Sequence, residues 1–274
     1  MVISELVREI KKELSDNAAF EAAEIVMFTL GIDRTSLLLC GKNEVSETDA
    51  EKAFSLARRR RSGEPLAYIL GFAEFMSLTF EVNEATLIPR SDTETLVEYV
   101  LEKARGRRIR LLDIGTGTGC IGISIAKYHG DTVLSLADIS RKALETAAVN
   151  AERNGVKAEL MRLDILNELP RGVYDIIVSN PPYIKSGVIP TLQTEVKDHE
   201  PVTALDGGVD GLVFYRHIAG IAPKLLTKGG MLAFEIGYDQ GESVSEIMKK
   251  SFCGVEVIKD LCGNDRVAAG VFGG

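Results

Sequence analysis

The chain has 274 residues, 45% of them hydrophobic and 26% charged, with a formal net charge of −8. That length admits one large domain, or a full-sized domain with a smaller one, and the balance excludes a disordered or collagen-like chain. The acidic charge argues against a surface that embraces phosphate backbones throughout, so no nucleic-acid partner is expected. No run approaches the ~20 apolar residues of a membrane-spanning helix, so no membrane partner is expected either.

The first residues, "MVISELVREIKKEL", interleave acids and bases without the apolar core and small-residue cleavage site of a secretory signal, so a cytoplasmic location is expected. Residues 1 to about 62 read as helices, because "SELVREIKKEL", "AAFEAAEIVMFTLG" and "ETDAEKAFSLARRRR" repeat apolar residues at three and four spacing. Gly31 is placed as a helix stop, and Ser46 with Asp49 three residues on has the form of an N-cap. The runs Ala57 to Arg61 and Arg105 to Arg110 concentrate positive charge, either as a local basic patch or as solvated helix and linker faces. "AYILGFAEFMSLTFEV", Ala67 to Val82, is rich in aromatic and β-branched residues around a polar break at Ala73 and Glu74, which predicts a hairpin.

From Arg108 the texture changes to short apolar runs alternating with helical patterns: "IRLLDIG", "TVLSLAD", "AELMRL", "YDIIVSN" and "GMLAFEIG". Runs without polar alternation are strands covered on both faces, the mark of a parallel sheet in a βαβ architecture. The last two, "VEVIKD" and "RVAAGVF", lie too close together for a helix between them and predict an antiparallel pair closing the sheet. The four cysteines form no CxxC pair and have three histidines for company, so neither a zinc site nor a disulfide framework is expected, only buried or half-buried free thiols.

Chemistry concentrates at the strand tips. "LLDIGTGTGC" sets Gly115, Gly117 and Gly119, with Thr116 and Thr118 between them, where a strand ending near Asp113 turns into a helix. This G-x-G-x-G spacing is shorter than the dinucleotide fingerprint, so close backbone approach to an uncharged part of a nucleoside suits it better than a pyrophosphate. Asp138 ends the next strand, where a carboxylate can accept from two vicinal ribose hydroxyls. Asp164 follows the strand after that and can accept from an exocyclic adenine amine, with Ile165 as a flat apolar neighbour. The plainer alternative for both acids is that each merely caps the following helix.

"SNPPYIK" ends the fourth strand. A residue before proline is driven to the extended region and Pro181 has a fixed φ, so the backbone through Asn180 and Pro181 has little freedom. The Asn180 side-chain oxygen and the Pro181 carbonyl can then both accept from one planar NH2 group while Tyr183 stacks on its plane. Such a nitrogen, a base amine or a carboxamide, is a poor nucleophile. An enzyme can align it with an electrophilic methyl and stabilise the positive charge that develops on it. A strand-terminating turn with a packed tyrosine is the structural alternative.

"DIGTGTG", the "AD" of the second strand and "NPPY" together resemble a class I S-adenosylmethionine-dependent methyltransferase that acts on a planar nitrogen. "RRRSGEPLAYILGFAEF", "LIPRSDTETLV" and "HEPVTALDGGVDGLVFYR" narrow the resemblance to the HemK/PrmC family of protein glutamine N5-methyltransferases, over nearly the whole chain. The resemblance implies a Rossmann-like, mostly parallel seven-stranded sheet. It also implies an N-terminal helical substrate-docking domain at 1–66, a hairpin linker at 67–90 and a catalytic domain at 91–274. S-adenosylmethionine is the implied cofactor and a class I peptide-chain release factor, through the glutamine of its Gly-Gly-Gln loop, the implied substrate. Carried over by position, Gly115 to Gly119, Asp138, Asp164, Ile165 and Asn180 bind the cofactor. Asn180, Pro181, Pro182 and Tyr183 hold the glutamine amide, and Arg90 is a substrate contact. "PRSDTE" and "HEP" depart from the family's usual wording, which leaves Asp92 and His199 without an implied role. A DNA adenine-N6 methyltransferase is the second reading, since the same acceptors suit adenine's amine, but the acidic charge and the uninterrupted sheet pattern count against it. An interaction protein that keeps the fold without the cofactor is the third.

Overall fold

A computed structural model describes residues 1–14 and 18–274, which divide into two compact units, Met1–Gly71 and Phe72–Gly274. The first unit holds α1 (Ile3–Glu13), α2 (Ala18–Leu30), α3 (Arg34–Leu39), α4 (Glu47–Arg61) and α5 (Leu66–Leu70). Helix α1 buries Ile3, Leu6 and Ile10, one stripe at helical spacing. The Ser46 hydroxyl caps α4 by accepting from the Asp49 N–H at 3.1 Å, and Gly31, at φ 62°, ends α2. Helix α3 escaped the sequence reading because six residues span fewer than two turns and so repeat no pattern; the Asp33 carboxylate starts it by accepting from the Ser36 N–H at 2.7 Å. Much of the arginine run is taken up by ion pairs within this unit: Arg60 meets Glu21 at 2.9 Å, Arg61 meets Glu13 at 3.1 Å, and Arg59 meets Glu64.

The second unit begins with the hairpin β1 (Phe72–Phe75) and β2 (Leu78–Glu81). Its turn is at Met76 and Ser77, with φ of 51° and 56°, not at Ala73 and Glu74, which lie inside β1; Ala67 to Leu70 belong to α5. Two consecutive positive φ values make the two-residue turn whose twist matches that of the strands, and local polarity gave no sign of it. Phe75 and Phe80 are buried edge to face, 6.1 Å between centroids, so the hairpin is part of this unit's core rather than a free connector.

The hairpin is followed by α6 (Glu94–Ala104) and then by β3 (Ile109–Ile114), α7 (Cys120–His129), β4 (Thr132–Asp138), α8 (Arg141–Arg153), β5 (Ala158–Arg162) and β6 (Tyr174–Ser179). Then come α9 (Thr194–His199), α10 (Val213–Ile221), β7 (Leu226–Glu235), α11 (Gly241–Met248), β8 (Cys253–Lys259) and β9 (Asp265–Val271). The seven strands β3 to β9 form one sheet in the order β5-β4-β3-β6-β7-β9-β8, parallel from β5 to β7, with β9 antiparallel to both β7 and β8. The expected antiparallel closing pair is therefore present. The middle of the sheet is apolar on both faces, with Ile109, Leu111, Ile176 and Val178 in one cluster and Leu112, Ile177, Leu232 and Phe234 in the other. Strand order reverses between β3 and β6, and ligands of such sheets bind outside the carboxyl ends at that reversal. Of the cysteines, Cys120 is buried and Cys40 partly so, but Cys253 and Cys262, on β8 and its following turn, are exposed, contrary to expectation. Among the described residues, no helix is long and apolar enough to cross a membrane.

Candidate active site

The glycine loop is built from beneath by Asp113. This carboxylate is wholly buried and accepts from the Thr116 hydroxyl at 2.7 Å and the Gly122 N–H at 3.0 Å, fastening the end of β3 to the start of α7. Burial pushes its pKa up to about 6 against those two donors, and its Oδ1 has no partner. It is the loop's internal brace and does not line the cavity that Asp138 and Asp164 line. Gly115 and Gly117 have φ of 69° and 56°, and a side chain on either would project into open space, so the bare backbone is what the loop presents. Gly119, at φ 81°, caps α7; a Cβ there would come within 2.6 Å of Ile123 Cδ1. The Asn150 amide, on α8, holds the loop from the side by donating to the carbonyls of Thr118 at 2.9 Å and Glu81 at 3.0 Å.

A cavity of about 530 Å³ opens above this loop at the carboxyl ends of β3, β4, β5 and β6. Gly115, Thr116, Gly117, Thr118, Asp138, Asp164, Ile165, Asn180, Pro181, Pro182 and Arg90 line it, so most of the residues singled out in the sequence converge there. Asp138 accepts from the Gly117 N–H at 2.9 Å through Oδ2 and from the Ser140 N–H at 2.8 Å through Oδ1. Each oxygen keeps a further lone pair for a ligand. Burial raises its pKa, and the backbone donors pull it back. Asp164 also serves its own turn, accepting from the Leu166 N–H at 3.0 Å and the Asn167 amide at 2.7 Å, but no helix follows it, and the helix after Asp138 is capped by Ser140, so the helix-cap alternative holds for neither acid.

Gly119 and Tyr183 do not line the cavity. Gly119 acts through the helix start, as above. Tyr183 was expected to stack on the substrate plane; instead its partly buried ring packs against the cluster containing Tyr215 and Phe234. The residues after the prolines are tied to the 201–206 loop by a parallel bridge between Ile184 and Asp206. Asn180 is partly exposed and Pro181 buried, directly after Ser179, whose hydroxyl donates to the Ile114 carbonyl at 2.7 Å.

Several contributors come from far along the chain. Arg90 pairs with Glu200, joining "PRSD" to "HEP" across 110 positions; Glu200 is almost fully buried and one of its oxygens has no partner. Burial raises the Glu200 pKa and the Arg90 guanidinium opposes this. Asp92 pairs with Arg266 at 3.0 Å, and Arg266 also reaches Asp260 at 3.1 Å. His199 ends α9 beside Glu200. At the tip of β7, register places Phe234 beside Ser179, and the buried Glu235 carboxyl lies against Asn180 and Thr93. Its pKa rises to about 7, chiefly through burial, with Thr93, Arg266 and Asn180 lowering it and Asp92 raising it. In the sequence, "LIPRSDTETLV", "HEP", "GMLAFEIG", "VEVIKD" and "RVAAGVF" contain these residues, but nothing in them announces the pairings, and Glu235, Asp260 and Arg266 carried no predicted role.

Two family models match the chain, a PrmC N-terminal domain over residues 2–71 and a methyltransferase small domain over residues 91–197. A release factor glutamine methyltransferase of Clostridium acetobutylicum is 40% identical over 272 residues, covering 96% of this chain and 95% of its own. Its counterpart in Geobacter sulfurreducens is 39% identical over 259 residues, 94% of this chain and 91% of its own. The chain belongs to the release factor glutamine methyltransferase family. Two solved structures share the fold: a Pyrococcus furiosus methyltransferase, with a TM-score of 0.53, 20% identity and coverage of 79% of this chain and 97% of its own, and the hMettl16 catalytic domain in complex with an RNA hairpin, with a TM-score of 0.60, 15% identity and coverage of 93% and 91%.

As a release factor glutamine methyltransferase the chain uses S-adenosylmethionine, and its residues fit that group. The bare Gly115–Gly117 backbone leaves room for a ligand at the end of β3, the half-free Asp138 carboxylate suits a ribose diol, and Ile165 and Leu166 give an apolar wall. Asn180 and Pro181 close the same cavity.

Proposed function

We propose that this chain methylates the side-chain amide nitrogen of the glutamine in the Gly-Gly-Gln loop of class I peptide-chain release factors, in the cytoplasm. The observation that carries this reading is the meeting of two halves in one cavity: the glycine loop with Asp138, and the Asn180–Pro181 acceptors. When bound, the cofactor would supply an electrophilic methyl on a sulfonium, whose sulfur would keep the electron pair of the broken S–C bond and leave as a neutral thioether. Asp138 and the Gly115–Thr118 backbone hold its nucleoside, with Asp164 and Ile165 at the base. The Asn180 side-chain oxygen and the Pro181 carbonyl accept from the glutamine NH2, fixing its nitrogen in line with the methyl.

An amide nitrogen shares its lone pair with the carbonyl, a conjugation reflected in a rotation barrier of about 18–20 kcal/mol. Alignment and acceptors already in place stabilise the positive charge that develops as the methyl arrives. The nitrogen then becomes acidic and releases its proton to water, so no strong base is required. Arg90, with its charge engaged by Glu200, serves this reading by bracing the segment before α6 against the start of the 201–206 loop, both of which line the cavity. We assign the first unit, Met1–Gly71, to docking of the folded release factor.

Mass spectrometry of an unmethylated release factor after incubation with the enzyme and S-adenosylmethionine tests the assignment. One added methyl on the Gly-Gly-Gln glutamine is expected. A methyl elsewhere, or on the backbone, refutes it.

A further inference from the structure

Gln240 is buried just before α11, and its amide uses both ends. Its Nε2 donates to the carbonyl of Tyr183 and to that of Gly211, both at 3.2 Å, while its Oε1 accepts from the Gly237 N–H at 2.9 Å. A carbonyl can only accept and a backbone N–H can only donate, so the orientation of this amide is set by these three backbone partners, with the Tyr215 hydroxyl a fourth, longer contact on Oε1 at 3.4 Å. Two glycines close the arrangement. A Cβ on Gly211 would sit 2.4 Å from the Tyr183 oxygen, and one on Gly207 would sit 2.7 Å from the Pro182 oxygen.

The acceptor turn is thus gripped at both ends. Before Asn180, Ser179 is tied to β3 through the Ile114 carbonyl. After Pro182, the Tyr183 carbonyl is held by Gln240, the Ile184 N–H donates to Leu205, and the Ile184 carbonyl accepts from Gly207. Between these anchors stand two prolines with fixed φ, so a shift of the Tyr183 carbonyl is passed to the Pro181 carbonyl and the Asn180 side chain rather than absorbed.

We infer that Gln240 is a positioning residue for methyl transfer: with the bare backbones of Gly207 and Gly211 it clamps the carbonyl of Tyr183 and so sets where the Asn180 and Pro181 acceptors meet the substrate NH2. This rests on the reading of Asn180 and Pro181 as the amide acceptors. Gln240 lies outside the cofactor cavity, so its effect falls on alignment and not on cofactor binding. Misplacement by about 1 Å costs on the order of 100-fold in rate.

The test is Gln240→Met, which keeps chain length but removes the donors, in the wild type and in an Asn180→Ala background. Turnover, KM for the release factor and Kd for S-adenosylmethionine are measured in each. The inference predicts a drop in kcat of about 10- to 100-fold, with KM and Kd within about twofold. It also predicts a much smaller further drop once Asn180 is gone, because the two residues act as a unit. Unchanged kcat, a loss carried by KM or Kd, or an equal loss in both backgrounds overturns it. If Gln240→Met does not fold, Gln240→Glu, which sets an oxygen against the same two carbonyls, is judged by the same outcomes. Full activity of Asn180→Ala alone refutes the acceptor reading, and with it the basis of this inference. Silence of Gln240→Met where Asn180→Ala is crippled refutes the inference only.

Discussion

Asn180 and Asp138 line one cavity but are given different tasks, and single substitutions separate them. Asn180→Ala removes an acceptor used as charge develops on the nitrogen, so kcat falls about 100- to 1,000-fold while the Kd for S-adenosylmethionine moves little. Asp138→Ala removes acceptors for a ground-state ligand and raises that Kd by about 10- to 100-fold, with a smaller effect on kcat at saturation. Turnover and equilibrium binding on both variants check this, and the opposite pattern would mean the two subsites are interchanged. Glu235 supplies a pH signature. Burial raises its folded pKa from 4.5 to about 7, so the folded chain holds this proton more tightly than the unfolded chain does. The corresponding stabilisation is complete below the unfolded value and is lost as pH rises through about 7. In urea titrations across that window, the wild type should lose stability relative to Glu235→Gln as pH rises; a gap that stays constant or changes the other way contradicts the assignment. The sequence made Gly115 to Thr118, Asp138, Asp164 and Asn180 legible because each follows a recognisable strand, whereas the lining at 85–90 and 201–206 has no strand directly before it. It did not reveal Tyr183's orientation, since an aromatic after two prolines reads the same whether it faces a ligand or the core.

At the scale of elements, β3, β4, β6 and β7 were legible because parallel strands covered on both faces leave continuous apolar runs; β5 departs from that expectation, an edge strand with Glu159, Leu160 and Arg162 exposed. Helix α3 and the Met76–Ser77 turn were not legible: one is too short to repeat a pattern, and the other uses residues without a left-handed preference. Long-range joints were equally hidden. Arg90 and Glu200 are 110 positions apart, and nothing local in "PRSD" or "HEP" announces the other. Their pairing carries its own prediction. Arg90→Ala strands a nearly buried carboxylate that already has one unpartnered oxygen, and should cost about 1–3 kcal/mol in chemical denaturation. Adding Glu200→Gln removes the stranded charge and should recover part of the loss. Equal destabilisation of the single and double variants would show that the pair does not couple these segments.

At the scale of the molecule, the division after Gly71 assigns the hairpin to the second unit, whose core takes in Phe75 and Phe80. A deletion that tests the docking role of the first unit therefore ends at residue 71 and not beyond the hairpin. The shortened chain should keep its affinity for S-adenosylmethionine and bind the folded release factor at least about tenfold more weakly, an affinity change of about 1.4 kcal/mol. Undiminished factor binding would place docking elsewhere. The central claim, methyl transfer to the release factor glutamine, has a direct test. Methyl-labelled S-adenosylmethionine is incubated with the enzyme and, separately, with an unmethylated class I release factor, the same factor with the loop glutamine changed to alanine, and duplex DNA. The account predicts label on the unaltered factor alone; label on the alanine variant or on DNA, or on none of the three, would contradict it.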